Sequence, residues 1–324
     1  MANARSFDEK RARLRSLASA PEHVARAELK KLLGDKNGYL VGECGDVAKE
    51  LELRDLVPDL VAAFPRFLEG GAKTDPGCFG KNHLVEALLH FDAHEPDTYL
   101  AGLRCRQHEG AIPFRVDTAA GLRGLCAHAL FHVGHRSALL DVTPLLFDAE
   151  AITRVEAATA LGDSGLDGAA AALHAKLLAG DPEPDVLGAI YKGLLRILPE
   201  RYLRVVEEAL TSEEDGPAEA AALALGESRA RGAFEVLKRA ANAPPIGRRG
   251  PESVLLGLAL LRSDEATAFL LDRVENGSEP RAVQAISALA LHRHDESITA
   301  RIRDIVRRRG SERLEEAVRE KLDR

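Results

Sequence analysis

DAEAITRVEAATALGDSG (148–165) is the stretch on which the reading of this chain turns. Its core, RVEAATALGDSG (154–165), has relatives along the chain: LVEALLHFDAH (84–94), AHALFHVGH (127–135), PAEAAALALGESR (217–229), SVLLGLALLRSDE (253–265) and AISALALHRHDE (285–296). Aligning them on the leucine near the end of each segment gives Leu51, Leu88, Leu130, Leu161, Leu194, Leu225, Leu260 and Leu291. The separations settle near 31 to 33 residues, with insertions in the early units. A period of that length marks stacked supersecondary units.

Between the anchors runs a second set of apolar stripes with residues at i, i+3, i+4 and i+7, as in LVPDLVAAFPRFLE (56–69), ALLDVTPLLFD (138–148) and GAAAALHAKLLAGD (168–181). Each unit is therefore a pair of antiparallel helices. One pair cannot bury its own apolar face, whereas a stack of about eight can, so the expected fold is an all-α solenoid. Long β-branched runs are missing, and no strand is expected. The organisation expected is one solenoid over 1–324, with a basic N-terminal cap (1–36), repeats (37–293) and C-terminal cap helices (294–324).

An acidic residue precedes a cation by six positions at the turn into three of the second helices: Asp75 and Lys81, Asp117 and Arg123, Asp148 and Arg154. With the D…VRxxAAxALG pattern best preserved in 148–165, this resembles the HEAT-repeat family, in particular the short bacterial HEAT-like repeats of the phycobilin-lyase type. The resemblance covers roughly residues 20–310. It implies that the aspartates and cations form a structural ladder between neighbouring repeats, and that the second helix of each pair lines a concave surface. After Leu194 the pattern lapses, with Leu187 and Ala218 where the arginine would stand.

Net charge is −7, which disfavours general nucleic-acid binding because phosphate backbones demand a basic surface. The chain starts MANARSFDEK, without an apolar signal region, and no run approaches eighteen apolar residues, so neither secretion nor a membrane span is expected. Cys44, Cys78, Cys105 and Cys126 show no CxxC spacing and suit reduced thiols in the cytoplasm. With charged helices at both ends, a monomer is the default.

Seven of the 11 histidines fall within 83–135. In repeat register, Glu86 matches His128 and His90 matches His132, and residues four apart share a helix face. With His83 one turn earlier, the expected array of His83, Glu86, His90, His128 and His132 has donors suited to Zn, Fe or Mn. A solvated or hydrogen-bonded polar face is the plainer reading of the same residues. Deoxyhypusine hydroxylase, a HEAT-like metalloenzyme, places His-Glu pairs in its second helices; the matching positions here read RVEA, KNHL and RGLC, so its chemistry is not implied.

Two insertions, 70–82 and 107–117, leave the same edge of adjacent repeats, and loops on rigid scaffolds concentrate binding residues. Cys78, Asn82, His108, Glu109 and Phe114 are the candidates there. GCFGKN lacks the spacing and strand context of a phosphate loop. Lys192, Arg196 and Arg262 fall on expected groove positions and would suit an acidic protein segment. The function expected from the sequence is a non-catalytic, cofactor-free scaffold that binds another protein through groove and edge loops, with no nucleic acid or membrane as partner. The alternative is a metal-binding protein or metal-dependent enzyme. A chromophore-handling role, as in phycobilin lyases, rests on the repeat alone.

Overall fold

The computed structural model describes residues 2–110, 112–113, 115–212, 214–243 and 250–323, and the chain forms two compact units, Met1–Ala160 and Leu161–Arg324. The first holds α1 (Ala2–Ser16), α2 (Glu22–Leu32), α3 (Gly38–Glu50), α4 (Val57–Gly70), α5 (Phe79–His90), α6 (Pro96–Leu103), α7 (Ala120–His132) and α8 (Ala138–Val142). Helix α9 (Ala151–Asp163) runs through the boundary. The second unit holds α10 (Asp167–Ala179), α11 (Pro184–Ile197), α12 (Pro199–Ala209), α13 (Asp215–Ser228), α14 (Ala233–Asn242), α15 (Gly250–Leu260), α16 (Asp264–Asn276), α17 (Glu279–Leu289), α18 (Glu296–Arg309) and α19 (Glu312–Lys321). This is the helix-pair architecture of an α-solenoid. Odd-numbered helices pack on one another as α3 on α5 and α5 on α7, then α11, α13, α15, α17 and α19 in succession.

Chain punctuation explains the element ends. Asn37 caps α3 by accepting from the Leu40 amide at 3.1 Å, and Asp295 caps α18 through the Ser297 and Ile298 amides at 3.0 and 3.2 Å. In 138–148 the expected helix is cut to five residues, and Thr143–Phe147 continues as a 3-10 turn. Pro144 has no amide to continue the α ladder there.

Burial corrects the repeat register at three anchors. Ala48, Leu258 and Leu289 are fully buried at the turn where Leu51 and Leu260 are half-buried and Leu291 is exposed. Ala48, Leu88, Leu130, Leu161, Leu194, Leu225, Leu258 and Leu289 give separations of 40, 42, 31, 33, 31, 33 and 31. The misassigned residues lie two or three positions later, where the helix is already ending.

The odd helices approach closely because glycine meets glycine. A Cβ on Gly80 of α5 would stand 2.5 Å from the Gly38 carbonyl oxygen of α3, and one on Gly226 of α13 would strike the backbone of Gly257 of α15. Within 294–324, α18 packs on α16 and α19 on α17. At the other end, three basic residues of α1 are paired, Arg11 with Glu43 at 2.9 Å, Lys10 with Asp35 at 2.6 Å and Arg13 with Glu28 at 2.7 Å.

Candidate edge-loop site

The expected absence of strands fails at one place. His108–Glu109 pairs antiparallel with Val116–Asp117, making the second insertion a hairpin. Its alternation is two residues long on each side, too short to register as a strand in the sequence.

Side chains at the base of this hairpin join it to the 70–82 insertion. Glu109 Oε1 accepts from the Gly77 amide at 2.7 Å, Gln107 Nε2 at 2.8 Å and the Thr118 hydroxyl at 2.6 Å. Desolvation pushes the Glu109 carboxyl up, but the bonds from Thr118, Gln107 and Gly77, helped by the Lys81 ammonium, outweigh it and hold the group below its ordinary value. Gln107 also donates to the Asp75 carbonyl at 2.8 Å, while its own oxygen accepts from Lys81 at 3.0 Å. Lys81, fully buried, places its remaining donors on Asp75 Oδ2 at 2.8 Å and the Phe67 carbonyl at 3.2 Å. All three ammonium protons are thereby used, so no donor of the buried group is left without an acceptor.

Removing one charge from this junction should loosen it without unfolding the repeats. In Glu109→Gln the carboxamide keeps one acceptor oxygen and loses the charge assistance, worth about 1–2 kcal/mol. Hydrogen exchange at the Gly77 amide should then accelerate by about 5- to 30-fold, with the helices α3 and α5 unchanged. Equal acceleration in α3 would mean that Glu109 supports the whole unit instead of the loop junction.

The next rungs are ionic. Arg123, buried to zero exposure, donates Nη1 to Asp117 Oδ2 at 2.7 Å and to the Cys105 carbonyl at 3.0 Å, and Nη2 to Asp148 Oδ1 of the following repeat at 2.9 Å. Arg106 reaches Asp148 Oδ2 at 2.7 Å. Arg154 is buried and donates to the Asp148 carbonyl at 3.0 Å.

The candidates named from the sequence therefore divide. Cys78 is buried, with Sγ 3.7 Å from the Thr118 hydroxyl, and Glu109 is engaged by its own loops, so neither offers its side chain to a partner in this state. Asn82 is half-buried with its Oδ1 lacking a partner among the described residues. His108 is exposed at the hairpin base. Phe114 lies outside the described residues. Around it, Ile112 and Val116 are 83% and 59% exposed. Sequence reading missed Gln107, Thr118 and Cys105, whose polar types carried no spacing signal; only the fold brings them to one junction.

The histidine array separates into pairs. His90 Nε2 stands 3.0 Å from Glu52, His132 Nε2 2.9 Å from Asp92 and His128 Nε2 3.0 Å from Glu156. His90 and His132 are the last residues of α5 and α7. Glu52 and Asp92, just past the ends of α3 and α5, have left-handed backbone (φ 53° and 49°) that turns their carboxylates toward the next repeat. Only Asp46, His83 and Glu86 cluster closely enough among the described residues to hold a metal, with ligand atoms within 4.8 Å of one another. His83 lies flat on Phe79, ring centroids 3.9 Å apart, with Nδ1 2.7 Å from Asp46. The Lys49 ammonium already fills that charge position, 2.9 Å from Asp46 and 3.5 Å from Glu86, so a metal ion would have to displace it. His90, His128 and His132 do not join this group. The register argument placed like positions on adjacent helices but could not foresee that each imidazole has a carboxylate of its own.

The expected basic groove is neutralised in the same way. Lys192 pairs with Glu227 at 3.1 Å and Arg196 with Asp163 at 2.6 Å, leaving Arg262 exposed at the end of α15. No helix among the described residues is long and apolar enough to cross a membrane.

No family model and no curated protein matches this chain. Among solved structures, it is similar to the complex of CpcE and CpcF of phycocyanin lyase from Nostoc sp. PCC7120, with a TM-score of 0.41 and 17% identity over 77% of this chain and 92% of that one. Likeness at that level assigns neither a family nor a function.

Proposed function

We propose that this protein is a non-catalytic binding scaffold and that the 107–117 hairpin, seated on the 70–82 loop, is where it grips a protein partner. The observation that carries this reading is the exposure of Ile112 (83%) and Val116 (59%) on a loop whose base is held by buried hydrogen bonds. Apolar side chains held out on a rigid support lose little entropy on binding, which is how anchor residues gain their weight. Arg115, exposed between them, favours a partner with an apolar segment and an acidic neighbour. The polar groups beneath are consumed in holding the loops together, which leaves them suited to support, not to turnover. Four free thiols suit work in the cytoplasm.

The double variant Ile112→Asp/Val116→Asp tests the reading. With circular dichroism unchanged, proteins that co-purify from the source cells and cross-link to 107–117 should be retained at least about tenfold less, the loss expected of a deleted anchor. If the same proteins are retained in the same amounts, the hairpin is not the binding surface.

A further inference from the structure

Asp46 comes from α3, and His83 and Glu86 sit three positions apart on one face of α5, so these three side chains bridge two neighbouring repeats. His83 Nδ1 is shielded from solvent and makes no hydrogen bond among the described residues, although Asp46 Oδ2 stands only 2.7 Å away. The direction of approach is wrong for an N–H bond to that oxygen. Whichever tautomer is present, protein groups leave this nitrogen unsatisfied, at a cost that a bound cation would remove. The Lys49 ammonium does not meet that need. It pairs with the other Asp46 oxygen, Oδ1, at 2.9 Å and lies 3.5 Å from Glu86 Oε2.

The imidazole is also held in place. Its ring lies on Phe79 with centroids 3.9 Å apart, and Phe79 lies on Tyr39 at 4.3 Å. The close approach of Gly38 and Gly80 fixes how α3 and α5 meet. Ligands positioned before binding lose little freedom on coordination.

We propose that Asp46, His83 and Glu86 form a divalent transition-metal site between α3 and α5, which the metal enters by displacing the Lys49 ammonium. One imidazole nitrogen and two carboxylate oxygens suit Zn2+, and three protein ligands leave a coordination position for water. The ligand atoms lie within 4.8 Å of one another. Donors about 2.0–2.2 Å from a tetrahedral zinc stand about 3.5 Å apart, so the set closes by about 1 Å at its widest. Glu86 is exposed and its flexible stem can supply that movement. Lys49 can leave because its ammonium ends a long flexible chain, and an ion pair near the surface holds it only weakly. The assignment rests on α3 and α5 alone and holds whatever the hairpin binds.

The test is calorimetric titration of the full chain, purified without a histidine tag and freed of metal by a chelator, with zinc chloride at pH 7. One zinc per chain should bind. His83→Gln and Asp46→Asn, both at half-buried positions, should each weaken binding by at least about tenfold, with circular dichroism unchanged. Lys49→Gln should tighten it by about two- to fivefold, because the competing ammonium is gone. The double variant His128→Ala/His132→Ala should bind as the wild type does. Cobalt in place of zinc should give visible d–d absorption without the near-ultraviolet band of thiolate ligands, which separates this site from the four cysteines. No binding at about 0.1 mM zinc would overturn the proposal. So would binding that survives both ligand variants or depends on His128 and His132, or a Lys49→Gln protein that binds no tighter. Lys49→Gln removes no ligand, so it decides the matter even if a ligand variant fails to fold.

Discussion

Arg123→Met should cost the first unit about 3–5 kcal/mol, because a buried arginine shared between two aspartates leaves uncompensated charge when it is removed. Asp117 and Asp148 would lose contacts of 2.7 and 2.9 Å, and the Cys105 carbonyl would lose its donor. Urea unfolding followed by hydrogen exchange across 38–142 should show a lower midpoint with an unchanged slope. Arg123→Lys should recover only part, since a single ammonium cannot fork between two carboxylates as guanidinium does. Acid provides a second readout. Desolvation raises Asp117, but donors from Gln107, Ala119 and Arg123 prevail and hold it below its ordinary value. A carboxyl depressed in the folded state contributes stability above its unfolded value of about 3.9 and loses it as pH falls through the lower folded one. The gap between variant and wild type should thus be full at pH 7 and pH 5 and narrow only below about pH 4. A destabilisation under 1 kcal/mol at neutral pH would show that the rung is replaceable by apolar packing.

Gly226→Ala should be the second large loss, this time in the second unit. Alanine favours an isolated helix over glycine by about 1 kcal/mol. Here the added methyl would press on the Gly257 carbonyl, 2.8 Å from that residue's Cα, and backbone cannot step aside as a side chain can. Overpacking of this kind costs about 1–3 kcal/mol and more where two helices must separate. Gly121→Ala is the paired control, because its Cβ meets nothing within 4 Å; it should be neutral or stabilise by up to about 1 kcal/mol. Thermal unfolding of both variants checks the opposite signs, and a stable Gly226→Ala would mean that α13 and α15 can part at little cost.

These two positions mark what was legible in the chain. The pairing of helices, the period and the Asp75/Lys81, Asp117/Arg123 and Asp148/Arg154 spacing could all be read because each repeats at a fixed interval. Anchors slipped where a repeat ended in several leucines, as in LALL (258–261), since helical spacing alone does not choose among Leu258, Leu260 and Leu261. His83 and His90 lie on α5, and His128 and His132 on α7. The partners of His90 and His132 escaped notice because Glu52 and Asp92 lie past the helix ends, in left-handed turns that no apolar pattern marks. The junction of Gln107, Glu109, Thr118 and Cys78 was hidden for another reason: it is assembled from irregular insertions, where periodicity carries no information.

The handed-on contacts also bear on how such a chain could change its length. Arg123 reaches forward to Asp148, while His90 and His132 reach back to Glu52 and Asp92, so each of these repeats carries half of a lock whose key is on its neighbour. Excising or copying one of them would leave mismatched halves on both sides of the splice. Where α13 and α15 meet through Ala222, Gly226 and Gly257, the mating surfaces are nearly featureless and their halves are close to interchangeable. At that seam a change in repeat number should be better tolerated than among the interlocked repeats of the first unit.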